Sequence, residues 1–171
     1  MGKFSNLLGA ICLAGLLPLQ GQTVAAKPEA VEPNQIESLI ETAKTCLGVP
    51  YRSGGTSIKG FDCSGFVKFV FDSVGIELNR SSRTQAKEGT PVALDALLPG
   101  DLLFFKTMGR RHAISHVGIY LGDGQFIHAG SWGGPRNRCI RLAELTSRYF
   151  AERVVAARRV VAPLGMAEET R

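Results

Sequence analysis

The sequence predicts an α+β fold, and three observations carry that prediction. Two apolar stripes at helical spacing occupy the first half of the chain, over 35–47 and 63–74, and each is stopped by glycine. From residue 101 onward the pattern changes to β-rich runs separated by short turn signals. The length of 171 residues, 44% apolar and 20% charged, suits one globular domain with a full core.

The elements follow in order. Residues 27–34, KPEAVEPN, rich in proline and charge, read as a flexible lead-in to a single domain over 35–163, with 164–171 as a C-terminal tail. Asn34 is placed to cap a helix beginning near Gln35, and Glu37 at the third helical position echoes a capping box. Ile36, Leu39, Ile40, Ala43 and Leu47 share one face of that helix, and Gly48 and Pro50 end it. The segment YRSGGTSIKG reads as a loop. A second helix starts at Asp62 or Cys63, carries Phe66, Val67, Val70, Phe71 and Val74 as its apolar stripe, and stops at Gly75. LNRSSRTQAKEGTPV is expected to form a turn, a short polar helix and a loop. LLPGDLLFF joins a Pro-Gly turn to a strand from Asp101 to Phe105, and SHVGIYLGDGQFIHAG is a hairpin around Gly122-Asp123-Gly124. RCIRLAEL adds a strand. RYFAERVVAARRVV closes the domain with a helical turn and a last strand from about Val154. Helices first and an antiparallel meander after them is the α+β order.

The net charge of +5 is spread along the chain, and no basic run exceeds the Arg pairs at 110–111 and 158–159. A concentrated basic stripe with interleaved aromatics is missing, so nucleic acid is excluded as a partner, while attraction to an acidic polymer fits the charge. At the N-terminus, Lys3, an apolar run from Leu7 to Leu17 and a polar stretch ending in small residues have the layout of a secretory signal over 1–26. Export to the periplasm or the exterior is the expectation. The run is too short to span a bilayer, so no stable membrane insertion is expected after cleavage, and the mature chain is expected to be a monomer. Cys12 follows Ile11, which is not a small residue, and this speaks against a lipid anchor there. The mature chain would keep Cys46, Cys63 and Cys139, an odd number. Either Cys46 and Cys139 pair, or both are small core residues. Cys63 is the odd one under both readings.

Cys63 stands in the first turn of a helix, after Asp62 and before Ser64 and Gly65. Unsatisfied N–H groups there favour an anion, which lowers a thiol's pKa, and the small neighbours leave the approach open. A nucleophilic thiol needs a base within reach. His112 sits in the basic loop GRRHAIS and reads as solvent-exposed. His116 and His128 bracket the hairpin, and strand parity decides whether they cooperate. A two-residue turn at Asp123-Gly124 places them on opposite faces. A three-residue loop over Gly122–Gly124, or an equivalent bulge, pairs 121 with 125 and puts His116, Gly118, Tyr120, Phe126 and His128 on one face. Gly124 suits the left-handed position, so the three-residue loop or bulge is expected. His116 then serves as base and His128 fixes its tautomer. The competing readings are a core cysteine with ordinary strand histidines, and a zinc site, which lacks an obvious fourth ligand.

With LGVPYRSGG, GFDCSGFVKFVF, LNRSSRTQAKEGTPV, LLPGDLLFF, SHVGIYLGDGQFIHAG and RYFAERVVAARRV in that order, the chain resembles the NlpC family of bacterial cell-wall cysteine peptidases over nearly all of 36–161. The resemblance implies a papain-like core, with helices packed on a central antiparallel sheet. It implies Cys63 as nucleophile, His116 as base and His128 as orienting residue. Tyr51 matches a tyrosine that shapes the substrate and oxyanion site. Asp62 matches an aspartate that contacts the free amine of a cell-wall peptide. Ser64, Arg80, Ser81 and Ser82 match polar residues beside the cleft. The implied reaction is hydrolysis of peptidoglycan stem peptides between γ-D-glutamate and diaminopimelate or lysine, through a thioester and without metal or cofactor. An amidase or acyltransferase using the same residues, and a non-catalytic wall-binding scaffold, are the alternatives. Asn79 stands where a proline is frequent and Phe150 where a tryptophan is frequent.

Overall fold

The computed structural model describes residues 34–107, 113–131, 134 and 137–161. The expected signal segment, Cys12, the lead-in up to residue 33, the Arg110–His112 loop and the tail lie outside them.

Helix α1, Asn34–Thr45, begins within a residue of its expected start. Leu39 and Ala43 are fully buried. Leu47 departs from expectation and is 44% exposed, because the helix ends at Thr45 and the chain tightens. The Cys46 and Leu47 N–H groups donate three residues back, to Ala43 and Lys44, and this turns Cys46 inward in place of Leu47. The segment read as a loop after Tyr51 contains a small hairpin, β1 (Thr56–Ser57) and β2 (Gly60–Phe61). Fully buried Phe61 pins it, and at Gly55 a Cβ would strike the Gly60 carbonyl, which accounts for glycine in SGG.

Helix α2, Cys63–Asp72, has Asp62 as its cap and buries Phe66, Val67, Val70 and Phe71. Past its end, Gly75 takes φ 79°, Ile76 N–H donates to Phe71 O and Gly75 N–H to Asp72 O, the Schellman pattern expected of a terminal glycine. The short polar helix is α3, Ser82–Gln85, capped by Ser81.

Strands β3 (Thr90–Val92), β4 (Leu102–Phe105), β5 (His116–Gly122), β6 (Gln125–Ala129), β7 (Ile140–Glu144) and β8 (Val154–Arg159) form one antiparallel sheet in the order β3-β8-β4-β5-β6-β7. Helix α4, Arg148–Ala151, precedes β8. The meander therefore covers β4 to β7 only; β8 returns to pair with β4. Strand β3, read from the sequence as loop, adds the outer edge, where Pro91 costs no ladder bond.

The β5–β6 hairpin settles the parity question. Tyr120 pairs with Phe126 and Ile119 with Ile127, the register expected of a three-residue loop. It is reached through the bulge alternative: Gly122 pairs with Gln125, the ladder shifts between Tyr120 and Gly122, and the turn is Asp123-Gly124 with φ 49° and 74°.

One face of the sheet, with Leu102, Phe104, Val117, Ile119 and Ile127, packs on α1 and α2. The other face, with Leu103, Phe105, Phe126 and Ala157, is covered by Phe150 of α4. Cys46 and Cys63 are free thiols, so Cys46 does not pair with Cys139; Cys46 is core, whereas Cys139 is only half-buried, beside the bridge between Pro50 and Cys139.

Candidate active site

The cap of α2 organises the site. Asp62 Oδ1 accepts the Gly65 N–H at 2.7 Å, and Oδ2 accepts the Gly54 N–H at 3.0 Å, which ties the SGG loop to the helix start. Arg80 closes the carboxylate with Nη1 at 3.0 Å from Oδ1 and Nη2 at 2.6 Å from Oδ2. Arg80 Nη1 also donates to Ser64 Oγ at 3.0 Å, and Ser64 Oγ donates to Asp62 Oδ1 at 3.3 Å. Burial alone would raise the Asp62 carboxyl. The hydrogen bond from Arg80, that from Gly65 and the charge of Arg80 outweigh it and hold the pKa below the ordinary carboxylate range. At Gly65 a Cβ would strike the Gly55 carbonyl, so glycine is what lets the loop close over the first helical turn.

Cys63 is partly exposed at this junction. The backbone N–H groups of Ser64 and Cys63 at the helix start, and of Val117 on β5, favour the thiolate. Burial, with the charge of Asp62, outweighs them and pushes the thiol up rather than down. The expectation of a lowered pKa is thereby corrected: the N-terminal donors are present, but desolvation and a neighbouring carboxylate exceed them.

Val117 is preceded by His116, the first residue of β5. His116 Nε2 lies 2.9 Å from His128 Nδ1, and the rings cross at 88° with centroids 4.9 Å apart. Both imidazoles stand on the aromatic face, His116 against Phe105 and His128 against Phe126 and Phe150. Burial and then the charge of Arg141 lower the His116 pKa to about 3. Burial, the neighbouring His116 and Arg141 lower that of His128 as well. Arg141 faces His128 directly across the β6–β7 ladder.

Tyr51 bridges to Phe61, and its N–H donates to the Arg138 carbonyl at 2.8 Å. The Arg138 guanidinium lies 5.8 Å over its ring. Burial, then Cys63 and Asp62, raise the Tyr51 hydroxyl against the opposing charges of Arg138 and Arg80.

Of the residues marked in the sequence, Tyr51, Asp62, Cys63, Ser64 and Arg80 thus form one neighbourhood, and His116 and His128 form a contacting pair joined to it through Val117. Ser82 opens α3 and is buried, but it takes no part in the hydrogen bonds among Asp62, Ser64 and Arg80. Three further residues were not marked. Buried Gln85 donates through Nε2 to the Ser64 carbonyl at 3.1 Å and the Asn79 carbonyl at 2.8 Å. Its signal was faint, a glutamine in a short polar helix. Arg138 and Arg141 become visible only once the β6–β7 register is known. Among the described residues no group of three His, Cys, Asp or Glu side chains converges in a way that would hold a metal ion, so the zinc alternative has no ligand set there. A thiol, a neutral imidazole pair and backbone donors at one strand end are the components of acyl transfer.

A family model described as NlpC/P60 matches residues 48–159. The γ-D-glutamyl-L-lysine dipeptidyl-peptidase of Bacillus subtilis is 38% identical over 134 residues, 78% of this chain and 44% of that protein. The probable endopeptidase NlpC of Escherichia coli is 39% identical over 126 residues, 73% of this chain and 78% of that protein. Among solved structures, an NlpC/P60 family protein from Bacillus cereus superposes with a TM-score of 0.67 at 38% identity, over 74% of this chain and 40% of that one. The chain spans less than half the length of the two Bacillus proteins.

Proposed function

The chain belongs to the NlpC/P60 family, and on that premise we propose that it is an exported cysteine peptidase cleaving peptidoglycan stem peptides between γ-D-glutamate and diaminopimelate. The observation that carries the reading is the junction of the capped α2 start with the β5 start. The Val117 N–H favours the Cys63 thiolate, and the preceding residue, His116, has its Nε2 2.9 Å from His128 Nδ1. Names among the relatives, a γ-D-glutamyl-L-lysine dipeptidyl-peptidase and an endopeptidase, support the same chemistry. The apolar run at 7–17 supports export.

Burial raises the Cys63 thiol and lowers His116, and both shifts favour the neutral forms before substrate arrives. The proton therefore moves as the sulfur attacks. With Nε2 engaged by His128, His116 takes the thiol proton at Nδ1 while Sγ bonds to the γ-glutamyl carbonyl carbon. Backbone N–H groups at the helix start, with Tyr51 beside them, meet the oxygen as it becomes negative. The C–N bond then breaks, His116 returns the proton to the leaving amine, and a thioester remains on Cys63. Water, losing a proton to His116, attacks the thioester; the acid leaves and the thiol is restored. Asp62, kept ionised by Arg80, stands ready for the ammonium of the N-terminal alanine, and Ser64 shares that polar patch.

The test uses a defined L-Ala-γ-D-Glu-diaminopimelate peptide, with products identified by mass spectrometry. Release of L-Ala-γ-D-Glu and free diaminopimelate is the expected result. Cleavage at another bond, or none on this peptide or on longer muropeptides, would overturn the assignment.

A further inference from the structure

The sheet order places β5, the strand of His116, between two flanks of the cleft. Tyr51 and Arg138 lie on the β7 flank, since Tyr51 N–H bonds to the Arg138 carbonyl just before that strand. On the other flank, a groove of about 400 Å³ is lined by Arg83, Lys106, Ile114, Val155 and Ala156. Both flanks are at the same end of the sheet. Phe105, directly before Lys106, pairs with His116 and with Val154, so the groove opens where β4 ends and β5 and β8 begin. A peptide crossing that end of the sheet at Cys63 would run from one flank to the other.

The groove has a definite chemistry. Arg83 is anchored by its Nε, which donates to the Ile114 carbonyl at 3.2 Å, and this aims the guanidinium at the groove. Among the described residues neither Arg83 nor Lys106 pairs with a carboxylate. The remaining walls, Ile114, Val155 and Ala156, are apolar, and Val155 is 43% exposed. Two cations that pair with no carboxylate among the described residues, over a small apolar floor, match a carboxylate carried on a short aliphatic residue. The Asp62 carboxylate, by contrast, is already paired with Arg80 at 2.6 Å.

We propose that this groove binds the leaving-group half of the substrate through its terminal carboxylate, and so sets a preference for short stems with a free C-terminus. This rests on the reading of the site as a γ-glutamyl peptidase. In the uncrosslinked stem the terminal D-alanine supplies both the carboxylate and a methyl group for the apolar floor. A stem amidated or crosslinked at that terminus lacks the anion.

The experiment measures binding and cleavage separately on three peptides: L-Ala-γ-D-Glu-L-Lys-D-Ala with a free C-terminus, the same peptide with a C-terminal amide, and the free acid with its glutamyl α-carboxylate amidated. Binding is read by titration calorimetry on the Cys63→Ala protein, with and without Lys106→Gln or Lys106→Arg, and cleavage on the protein with Cys63 intact. The expected result is about tenfold tighter binding of the free acid than of the C-terminal amide. Lys106→Gln should narrow that ratio to near one, Lys106→Arg should keep it, and amidating the glutamyl α-carboxylate should leave it in place. Equal affinities for acid and amide, or a Lys106 effect that follows the glutamyl carboxylate, would overturn the assignment of the groove. The two readings fail separately. Cleavage of all three peptides with equal affinities removes the groove proposal and leaves the peptidase reading. A Lys106-dependent preference without cleavage supports the groove and removes the peptidase.

Discussion

At the cleft, Asp62 is gripped by Arg80 through both carboxylate oxygens, at 3.0 and 2.6 Å. At the opposite end of the sheet, Asp101 is gripped by Arg159 in the same way, at 2.8 and 2.7 Å. The surroundings differ. The Asp101 side chain is 1% exposed and that of Arg159 16%, whereas Asp62 is 15% and Arg80 43% exposed. Asp101 also accepts the Leu98 N–H at 2.8 Å, and Arg159 reaches the Ala96 carbonyl at 3.0 Å, so the pair buckles the Pro-Gly turn onto the last strand. Close behind it, Gly89 has no room for a Cβ against the Arg159 carbonyl, just as Gly65 has none against Gly55. One bonding pattern thus serves as a sealed joint in one place and as an accessible, ionised carboxylate in the other. Water access decides which.

The largest effect is expected at the sealed joint. Arg159→Ala leaves a buried carboxylate without its partner and should cost about 3–5 kcal/mol in urea unfolding, while the folded fraction turns over at the wild-type rate. A loss no greater than that of an exposed pair would erase the distinction between the two ends. Asp62→Asn should reverse the pattern. Asparagine still caps a helix, so stability should fall by about 1 kcal/mol or less, yet kcat/KM on the stem peptide should drop about a hundredfold. Unchanged kinetics would reduce Asp62 to a cap.

Acid should also separate the ends. His116 is held at about 3 by burial and by Arg141, so the folded protein refuses a proton that the unfolded chain accepts near pH 6.5. Stability from this source is complete above that value and is lost as pH falls toward 3, by up to about 1.4 kcal/mol per pH unit. His128 acts in the same direction, and Asp62 adds its loss at lower pH. Chemical denaturation between pH 7 and 4 should show this slope, and His116→Asn should flatten it. A slope untouched by that substitution would place the acid sensitivity elsewhere. The smallest effect belongs to Arg148, 91% exposed beside Glu152; Arg148→Ala should stay within about 0.5 kcal/mol by the same unfolding measurement.

Much of the cleft was legible in the sequence because its cues are local. Asp62, Cys63 and Gly65 lie within four residues, Gly75 announces the helix end, and the Gly-Asp-Gly turn limits the hairpin to two registers. The bulge reached the expected register by a tighter turn than a plain three-residue loop. The sealed joint was not legible, since Asp101 and Arg159 are 58 residues apart and neither carries a local signal. The edge strand Thr90–Val92 and the two-residue strands at Thr56 and Gly60 were missed for a related reason: they are too short to show alternation, and pairing alone creates them. The raised thiol of Cys63 followed the same rule. The helix start is a local feature, but the burial that overrides it comes from chain segments distant in sequence.

The central claim is that Cys63, at the start of α2, forms a covalent bond with the γ-glutamyl carbonyl. Intact-protein mass spectrometry after rapid acid quenching during turnover of the stem peptide tests it most directly. The account predicts a transient adduct with the mass of the L-Ala-γ-D-Glu acyl group, mapped to the peptide containing Cys63 and absent from Cys63→Ala, which also loses cleavage. Cleavage that persists in Cys63→Ala, or an adduct on another residue, would contradict it.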